Sequence, residues 1–177
     1  MGSVESLTNV KKIVENINEP VVVVVSALGG ITDRLIRTSQ LAVAGDDNYR
    51  NEFDAMVDRH HGIIDAVIPA GAAHDALKAK VDALLDELRS IYHGVYLIRD
   101  MTQKTANVIV SYGERMSSQI VSAFIEGSQC YDSREFIKTV RKQNRNLVDF
   151  DVTIRLVIQT FARMPRIAVV PGFIASD

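Results

Sequence analysis

The sequence has very little of several features, and each shortage excludes a class of protein. Its one cysteine, Cys130, excludes an internal disulfide and any cysteine-based metal cluster within one chain. No apolar run approaches the roughly 18 residues that are needed to cross a bilayer. The chain also does not open with a basic segment followed by an apolar stretch. We therefore expect a cytoplasmic protein that is neither secreted nor bound to a membrane.

Neither sign of charge dominates. The formal net charge is -2, and the lysines and arginines are scattered instead of forming a stripe, which gives little support for nucleic acid as a partner. Hydrophobic residues make up 47% and charged residues 24%, the balance of an ordinary soluble globular protein. At 177 residues we expect one domain with a substantial core.

The first third of the chain predicts a helix, a strand and a second helix. Apolar residues at helical spacing predict a helix over residues 3–17. The five valines Val21 to Val25 do not alternate with polar residues, which predicts a central strand of a parallel sheet, buried on both faces. After the glycine-containing turn, Thr32 or Asp33 is expected to cap the next helix.

The rest of the chain is mainly helical. Residues 49–68 and 74–98 predict a long helical hairpin, and residues 102–126 predict another helix. That last helix is expected to bend near Gly113, because glycine lowers helix propensity. A short strand at 129–131, a helix around 154–161 and a buried strand at 167–170 follow. The pattern indicates an α/β protein with a mainly parallel sheet.

The strongest local signal for chemistry is the turn after the valine run. Ser26, Gly29, Gly30 and Thr32 come at the carboxyl end of a buried strand, where open α/β sheets bind ligands. Glycines let backbone N–H groups approach an anion, and the hydroxyls can donate hydrogen bonds. The spacing alone nevertheless favours a simple connecting turn, because no Walker lysine and no dinucleotide fingerprint is present.

The second signal is Glu114, which follows Gly113 in the predicted helix. A carboxylate beside a glycine could receive the ammonium group of a ligand, although the pattern alone favours a solvated helix charge. The adjacent His60 and His61 point about 100° apart on a helix and lack a third ligand, so we interpret them as structural or exposed. Cys130 has no partner histidine and is interpreted as a buried small apolar residue.

Three motifs, in order, resemble those of aspartate kinases. Val22 to Asp33 resembles their serine-containing strand and turn, and Ser111 to Ser118 is similar to their glycine–glutamate helix. Val169 to Ile174 resembles the strand and loop that lead towards their nucleotide-binding half. Asp132-Ser133-Arg134 and Thr139 also resemble the segment between these motifs, so the similarity covers essentially the whole chain.

The stretch around His93-Gly94-Val95 is similar to the kinase portion of bifunctional aspartate kinase–homoserine dehydrogenases. The resemblance as a whole implies the amino-acid kinase fold, a three-layer αβα sandwich. It also implies transfer of the γ-phosphate of ATP, with Mg²⁺, to the side-chain carboxylate of L-aspartate. The product, 4-phospho-L-aspartate, leads to lysine, threonine and methionine.

The family pattern implies roles for five residues of this sequence. Ser26 and Thr32 would contact bound aspartate, Glu114 would hold its ammonium group, and Gly172 and Phe173 would shape the substrate pocket. No residue is carried over as catalytic, as a metal ligand or as a contact for ATP.

Two family motifs do not occur in the sequence. One is a Lys-Phe-Gly-Gly-Thr-Ser strand, expected just before Gly2, whose lysine binds phosphate. The other is a Gly-Arg-Gly-Gly-Ser-Asp type motif, expected after Asp177, whose arginine binds the α-carboxylate of aspartate. We therefore expect residues 1–177 to be the substrate-side portion of a catalytic domain. Alone, this portion should bind ATP weakly and have little or no kinase activity.

Two alternatives remain open at this point. A glutamate or acetylglutamate kinase would share the fold and use another acceptor, but the Ser-Tyr-Gly-Glu-Arg segment argues against it. A non-catalytic module could use the apolar stripes of its helical hairpin for assembly or regulation. The sequence decides neither the feedback inhibitor nor a fusion to homoserine dehydrogenase, and a homo-oligomer is left open.

Overall fold

The computed structural model describes residues 2–142 and 145–177 of the chain. This part contains seven helices and five strands. In chain order they are α1 (Val4–Glu15), β1 (Val21–Val25), α2 (Ile31–Ala44), α3 (Tyr49–Val67), α4 (Ala72–Ile98), α5 (Gln103–Phe124), β2 (Ser128–Cys130), α6 (Ser133–Phe136), β3 (Thr139–Lys142), β4 (Arg145–Val148), α7 (Phe150–Phe161) and β5 (Ile167–Pro171).

Three parallel strands form the sheet, in the order β1-β5-β2. Val21 pairs with Ile167 at one side of β5, and Ser128 pairs with the same residue at the other side. Every residue of β5 is buried, so this strand is the centre of the sheet. The predicted α/β class with a parallel sheet and a long helical hairpin, α3–α4, is confirmed. The separate antiparallel hairpin β3–β4 and the one-turn helix α6 were not predicted.

The prediction that Val21 to Val25 form a central strand buried on both faces is wrong. Within the described residues β1 pairs with β5 alone, and it lies at the edge of the sheet. Val22 and Val24 are 43% and 67% exposed, whereas Val25 lies in the core. A run of valines favours extended backbone wherever it lies, and it is the pairing with β5 that places this strand at the edge.

The start of α2 also differs from the prediction. The residue that precedes the helix is Gly30, with φ 81°, and no side chain caps the first turn. Glycine adopts this left-handed conformation at little cost. Thr32 and Asp33 lie inside the first turn instead of at the cap position, which leaves the Thr32 hydroxyl without a capping role.

Helix α5 carries much of the core, since it packs against α2, α4 and all three strands of the sheet. The predicted bend near Gly113 is wrong, because α5 runs without interruption from Gln103 to Phe124. Gly113 serves close packing instead. A Cβ at this position would lie 2.8 Å from the Cβ of Ala27 and 3.3 Å from Cδ1 of Leu35.

The two adjacent histidines of α3 have different environments. His61 lies within hydrogen-bonding distance of Asp82 on α4, 2.6 Å from Nε2 to Oδ1. His60 is fully buried, and its Nδ1 lies 2.7 Å from the backbone oxygen of Met56. Its Nε2 has no hydrogen-bond partner among the described residues. Burial lowers the pKa of His60, and the positive charges of His61 and Arg59 act in the same direction.

In residues 2–142 and 145–177, no helix has both the length and the apolar character that a membrane crossing requires.

Replacing Gly113 by alanine is expected to destabilise the fold. The added methyl group overpacks the contact with Ala27, at a cost of about 1–3 kcal/mol that exceeds the gain in helix propensity of about 1 kcal/mol. The matched control is Gly94→Ala in α4, where an added Cβ meets nothing within 4 Å and should stabilise the helix. Urea denaturation measures both. If the contact is responsible, Gly113→Ala should cost less in an Ala27→Gly background, and equal costs would contradict this explanation.

Lowering the pH is expected to destabilise the protein through His60. Its pKa is lower in the folded state than the unfolded value of about 6.5. The unfolded chain therefore binds the proton more readily, and the stability due to neutral His60 is lost as the pH falls below about 6.5. Urea denaturation at about pH 7.5 and pH 5.5 should show a smaller pH dependence in His60→Leu. The exposed His93→Leu control should keep the wild-type dependence.

Candidate functional site

The candidate site lies at the carboxyl ends of β1 and β5. The Gly172 N–H donates to the backbone oxygen of Val25 at 2.7 Å, which joins the segment after β5 to the end of β1. A Cβ at Gly172 would lie 2.9 Å from Cγ1 of Val24 and 3.2 Å from the oxygen of Val25. Only glycine allows this approach. It places the loop after β5 beside the turn that starts at Ser26.

Helix α5 brings Glu114 to the same turn. The Glu114 side chain is buried, and its Oε1 accepts a hydrogen bond from the Ala27 N–H at 3.4 Å. Three residues further along the helix, the Ser117 hydroxyl donates to the backbone oxygen of Ser26 at 2.7 Å. Residues three apart lie on the same face of a helix. Both side chains therefore fix α5 against the peptide that follows β1.

The second carboxylate oxygen of Glu114, Oε2, is buried and has no hydrogen-bond partner among the described residues. Burial raises the pKa of this carboxyl group, although the hydrogen bonds from the Glu114 and Ala27 N–H groups oppose the shift. A buried carboxylate without a partner is costly. A positively charged group brought next to Oε2 would supply the missing partner.

The two hydroxyls and the aromatic ring that were predicted for the site form no hydrogen bond or ring contact with Glu114 in the described residues. Ser26 is exposed, Thr32 is half-buried in the first turn of α2, and neither hydroxyl donates or accepts a hydrogen bond in the described part of the chain. Phe173 is fully exposed, with φ 61°. The structure thus places the Glu114 carboxylate against the Ser26–Ala27 peptide.

Sequence reasoning missed the part that Ser117 and Ala27 play. The position of Ser117, one helical turn after Glu114, is the signal that could have identified it. Ala27 carries no chemical signal, because its contribution is a backbone N–H and a small side chain. Across residues 2–142 and 145–177, no group of three or more histidine, cysteine or acidic side chains is arranged to hold a metal ion.

No family model matches the chain, but comparisons with curated proteins and with solved structures find similar proteins. A bifunctional aspartokinase/homoserine dehydrogenase 1 of Zea mays, chloroplastic, is 29% identical over 184 residues, which cover 99% of this chain and 20% of the relative. The chloroplastic aspartokinase 2 of Arabidopsis thaliana is 24% identical, over 98% of this chain and 33% of the relative. The chain therefore spans about a fifth to a third of the length of these curated relatives.

Solved structures share the fold. Aspartokinase III of E. coli, in complex with lysine and aspartate, superposes with a TM-score of 0.83 at 19% identity. The match covers 98% of this chain and 39% of the E. coli chain. The same enzyme with aspartate and ADP gives 0.83 at 20% identity, covering 98% of this chain and 38% of its own. Aspartate kinase of Clostridium acetobutylicum gives 0.77 at 16% identity, covering 99% and 37%.

The sequence relatives and the structural neighbours agree over almost the entire chain. The relatives and neighbours to which this chain is similar are aspartokinases and bifunctional aspartokinase/homoserine dehydrogenases.

Proposed function

We propose that this chain is the aspartate-binding portion of an aspartate kinase catalytic domain. The whole enzyme would transfer the γ-phosphate of ATP to the side-chain carboxylate of L-aspartate, giving 4-phospho-L-aspartate. The single observation that carries the proposal is the buried Glu114 carboxylate at the carboxyl edge of a parallel sheet, whose Oε2 has no partner in the part of the chain that the structure describes. Ligands of open α/β sheets bind at that edge.

Glu114 would bind the ammonium group of aspartate. A charge-assisted hydrogen bond between the ammonium and Oε2 would satisfy the carboxylate and keep it ionised in spite of its burial. In the described residues no lysine or arginine side chain forms an ion pair with Glu114, so the ligand has no internal competitor. The requirement for an ammonium group separates amino acids from simple dicarboxylic acids.

The turn after β1 would hold the carboxylate that receives the phosphate. Ser26 is exposed there, and Thr32 lies in the first turn of α2, whose N-terminal end carries partial positive charge. Gly172 keeps the loop after β5 against this turn, and Phe173 would cover the ligand from the solvent side. These residues would orient the acceptor, and orientation is a main source of catalysis in phosphoryl transfer.

In this proposal ATP is bound by the whole enzyme and not by these residues alone. That a solved relative binds both aspartate and ADP supports the use of ATP. The described residues offer no set of three ligands for Mg²⁺, and we derive no step through a metal ion. The product would enter the biosynthesis of lysine, threonine and methionine. The cytoplasmic location stays a prediction, since the relatives are named as chloroplastic.

Binding of small acids by the isolated chain tests the role of Glu114. L-Aspartate should bind at least about tenfold more tightly than succinate, which lacks the ammonium group, because a hydrogen bond to a charged group contributes about 1.5–3 kcal/mol. Glu114→Gln should remove this preference. NMR titration measures the affinities for L-aspartate, succinate and L-glutamate. Tighter binding of L-glutamate than of L-aspartate would favour a glutamate kinase.

The control for this experiment is Asp86→Asn, which removes an exposed carboxylate on α4. It should bind L-aspartate as the wild type does. Because Glu114→Gln also removes a buried charge, its stability should be unchanged or raised, so a loss of binding would not reflect unfolding. Wild-type affinity for L-aspartate in Glu114→Gln, or no binding by the wild type, would contradict the proposal.

Turnover by the isolated chain is expected to be absent. The sequence contains neither the lysine–glycine motif nor the arginine–glycine motif that would stabilise the transferring phosphate. A coupled assay should therefore detect no aspartate-dependent release of ADP. Release at the rates usual for kinases, about 1–100 per second, would show that these 177 residues suffice.

A further inference from the structure

A polar cavity lies at the same edge of the sheet, beside β2 and β5. Its volume is about 120 Å³, and its polar lining includes Arg115 and Gln119 of α5, Cys130 and Asp132 at the end of β2, and Arg134 of α6. Glu114 contacts the end of β1, on the other side of β5, and does not line this cavity. One water needs about 10–15 Å³ by a comparable measure, so the space admits a ligand of several heavy atoms.

Arg115 is the feature that suggests a ligand. Its side chain is only 14% exposed, yet its one carboxylate partner in the described chain is Glu87, at 3.3 Å. Its guanidinium also lies over the ring of Tyr112, 4.3 Å from the centroid. A guanidinium has five N–H donors. The N–H donors of Arg115 that lack an acceptor among the described residues are not sealed from solvent, and they can be offered to a ligand in the cavity.

Arg134 is held in place beside the cavity by Asp132. Its Nε donates to Oδ1 at 2.9 Å and its Nη2 donates to Oδ2 at 2.5 Å, which leaves the Nη1 group without a protein acceptor in the described residues. Burial would raise the pKa of Asp132, but the hydrogen bonds from Arg134 and the charge of Arg115 keep it below its usual value. Asp132 therefore stays ionised and fixes the Arg134 fork.

The charges around the cavity select the kind of ligand. Two arginines are balanced by two carboxylates, Glu87 and Asp132, so the cluster has donors for an oxyanion but no surplus of positive charge. A dianion would be repelled by the nearby carboxylates more strongly than a monoanion. A planar carboxylate also matches the geometry of a guanidinium fork.

We propose that this cavity binds a small monocarboxylate through N–H groups of Arg115 and Arg134, as a ligand site separate from that of Glu114. The proposal does not depend on the proposed kinase function, because the two sites share no side chain. Cys130 lines the cavity and is the sole cysteine of the sequence, so it reports on occupancy without any added label.

Alkylation of Cys130 by iodoacetamide, followed by mass spectrometry, tests the proposal. Sodium acetate should slow the reaction at least about threefold in a saturable manner, whereas sodium chloride at the same ionic strength should not. Inorganic phosphate should protect less than acetate. Glu114→Gln should leave the protection by acetate unchanged, which separates this result from a failure of the aspartate site.

Arg134→Gln should lose the protection, and the surface control Arg89→Gln should keep it. Should Arg134→Gln fail to fold, Arg134→Lys decides the matter. Lysine keeps the charge beside Asp132 but lacks the planar fork, so protection should weaken several-fold. Three results would overturn the proposal: no protection of the wild type by acetate, equal protection in the folded Arg134 variant, or stronger protection by phosphate.

Discussion

The close contact between α5 and the turn after β1 is the constraint on which the site depends. Gly113 allows the helix to approach Ala27, Glu114 accepts a hydrogen bond from the Ala27 N–H, and Ser117 donates to the Ser26 oxygen. Within five residues of α5, these contacts all reach the same two residues of the turn. Because protein interiors are close-packed, a helix held in this way has little room to slide or rotate.

This contact has an energetic consequence. Burying Glu114 while Oε2 lacks a partner within residues 2–142 and 145–177 costs free energy, and apolar packing of α5 against the sheet must offset that cost. A residue that served stability alone could be replaced here by an apolar residue of similar size at no loss. Buried carboxylates with a shifted pKa are common at functional sites. The energetic cost of burying Glu114 is therefore consistent with the ligand-binding role that we propose for it.

The sequence was sufficient for elements whose signal is local. The α3–α4 hairpin was predicted to within a few residues, because its apolar positions recur over many turns. Whether β1 lies at the edge or in the centre of the sheet depends on its pairing with β5, which is more than 140 residues away in the sequence. A local sequence pattern cannot indicate this position. Gly113 was misinterpreted for the same reason, since its low helix propensity is outweighed by a tertiary contact.

The residues of the candidate site were predicted from two kinds of signal, local spacing and family resemblance, and these differ in strength. Spacing alone favoured a plain turn at Ser26 and a solvated charge at Glu114, and only the family resemblance joined residues that are 88 positions apart. The structure adds that Glu114 is buried against the Ser26–Ala27 peptide, which periodicity could not indicate. Neither the spacing nor the family resemblance identified Ser117, because its contribution is one hydrogen bond to a backbone oxygen.

The order of the sheet explains how one helix can contribute to both of the proposed sites. Strand β5 lies between β1 and β2, and α5 packs against all three. Consecutive residues of a helix point about 100° apart, so Glu114 reaches the end of β1 while Arg115 lines the cavity beside β2. A rotation of α5 that improved one site would displace the other. The close packing of Gly113 against Ala27 therefore fixes the position of α5 relative to both proposed sites.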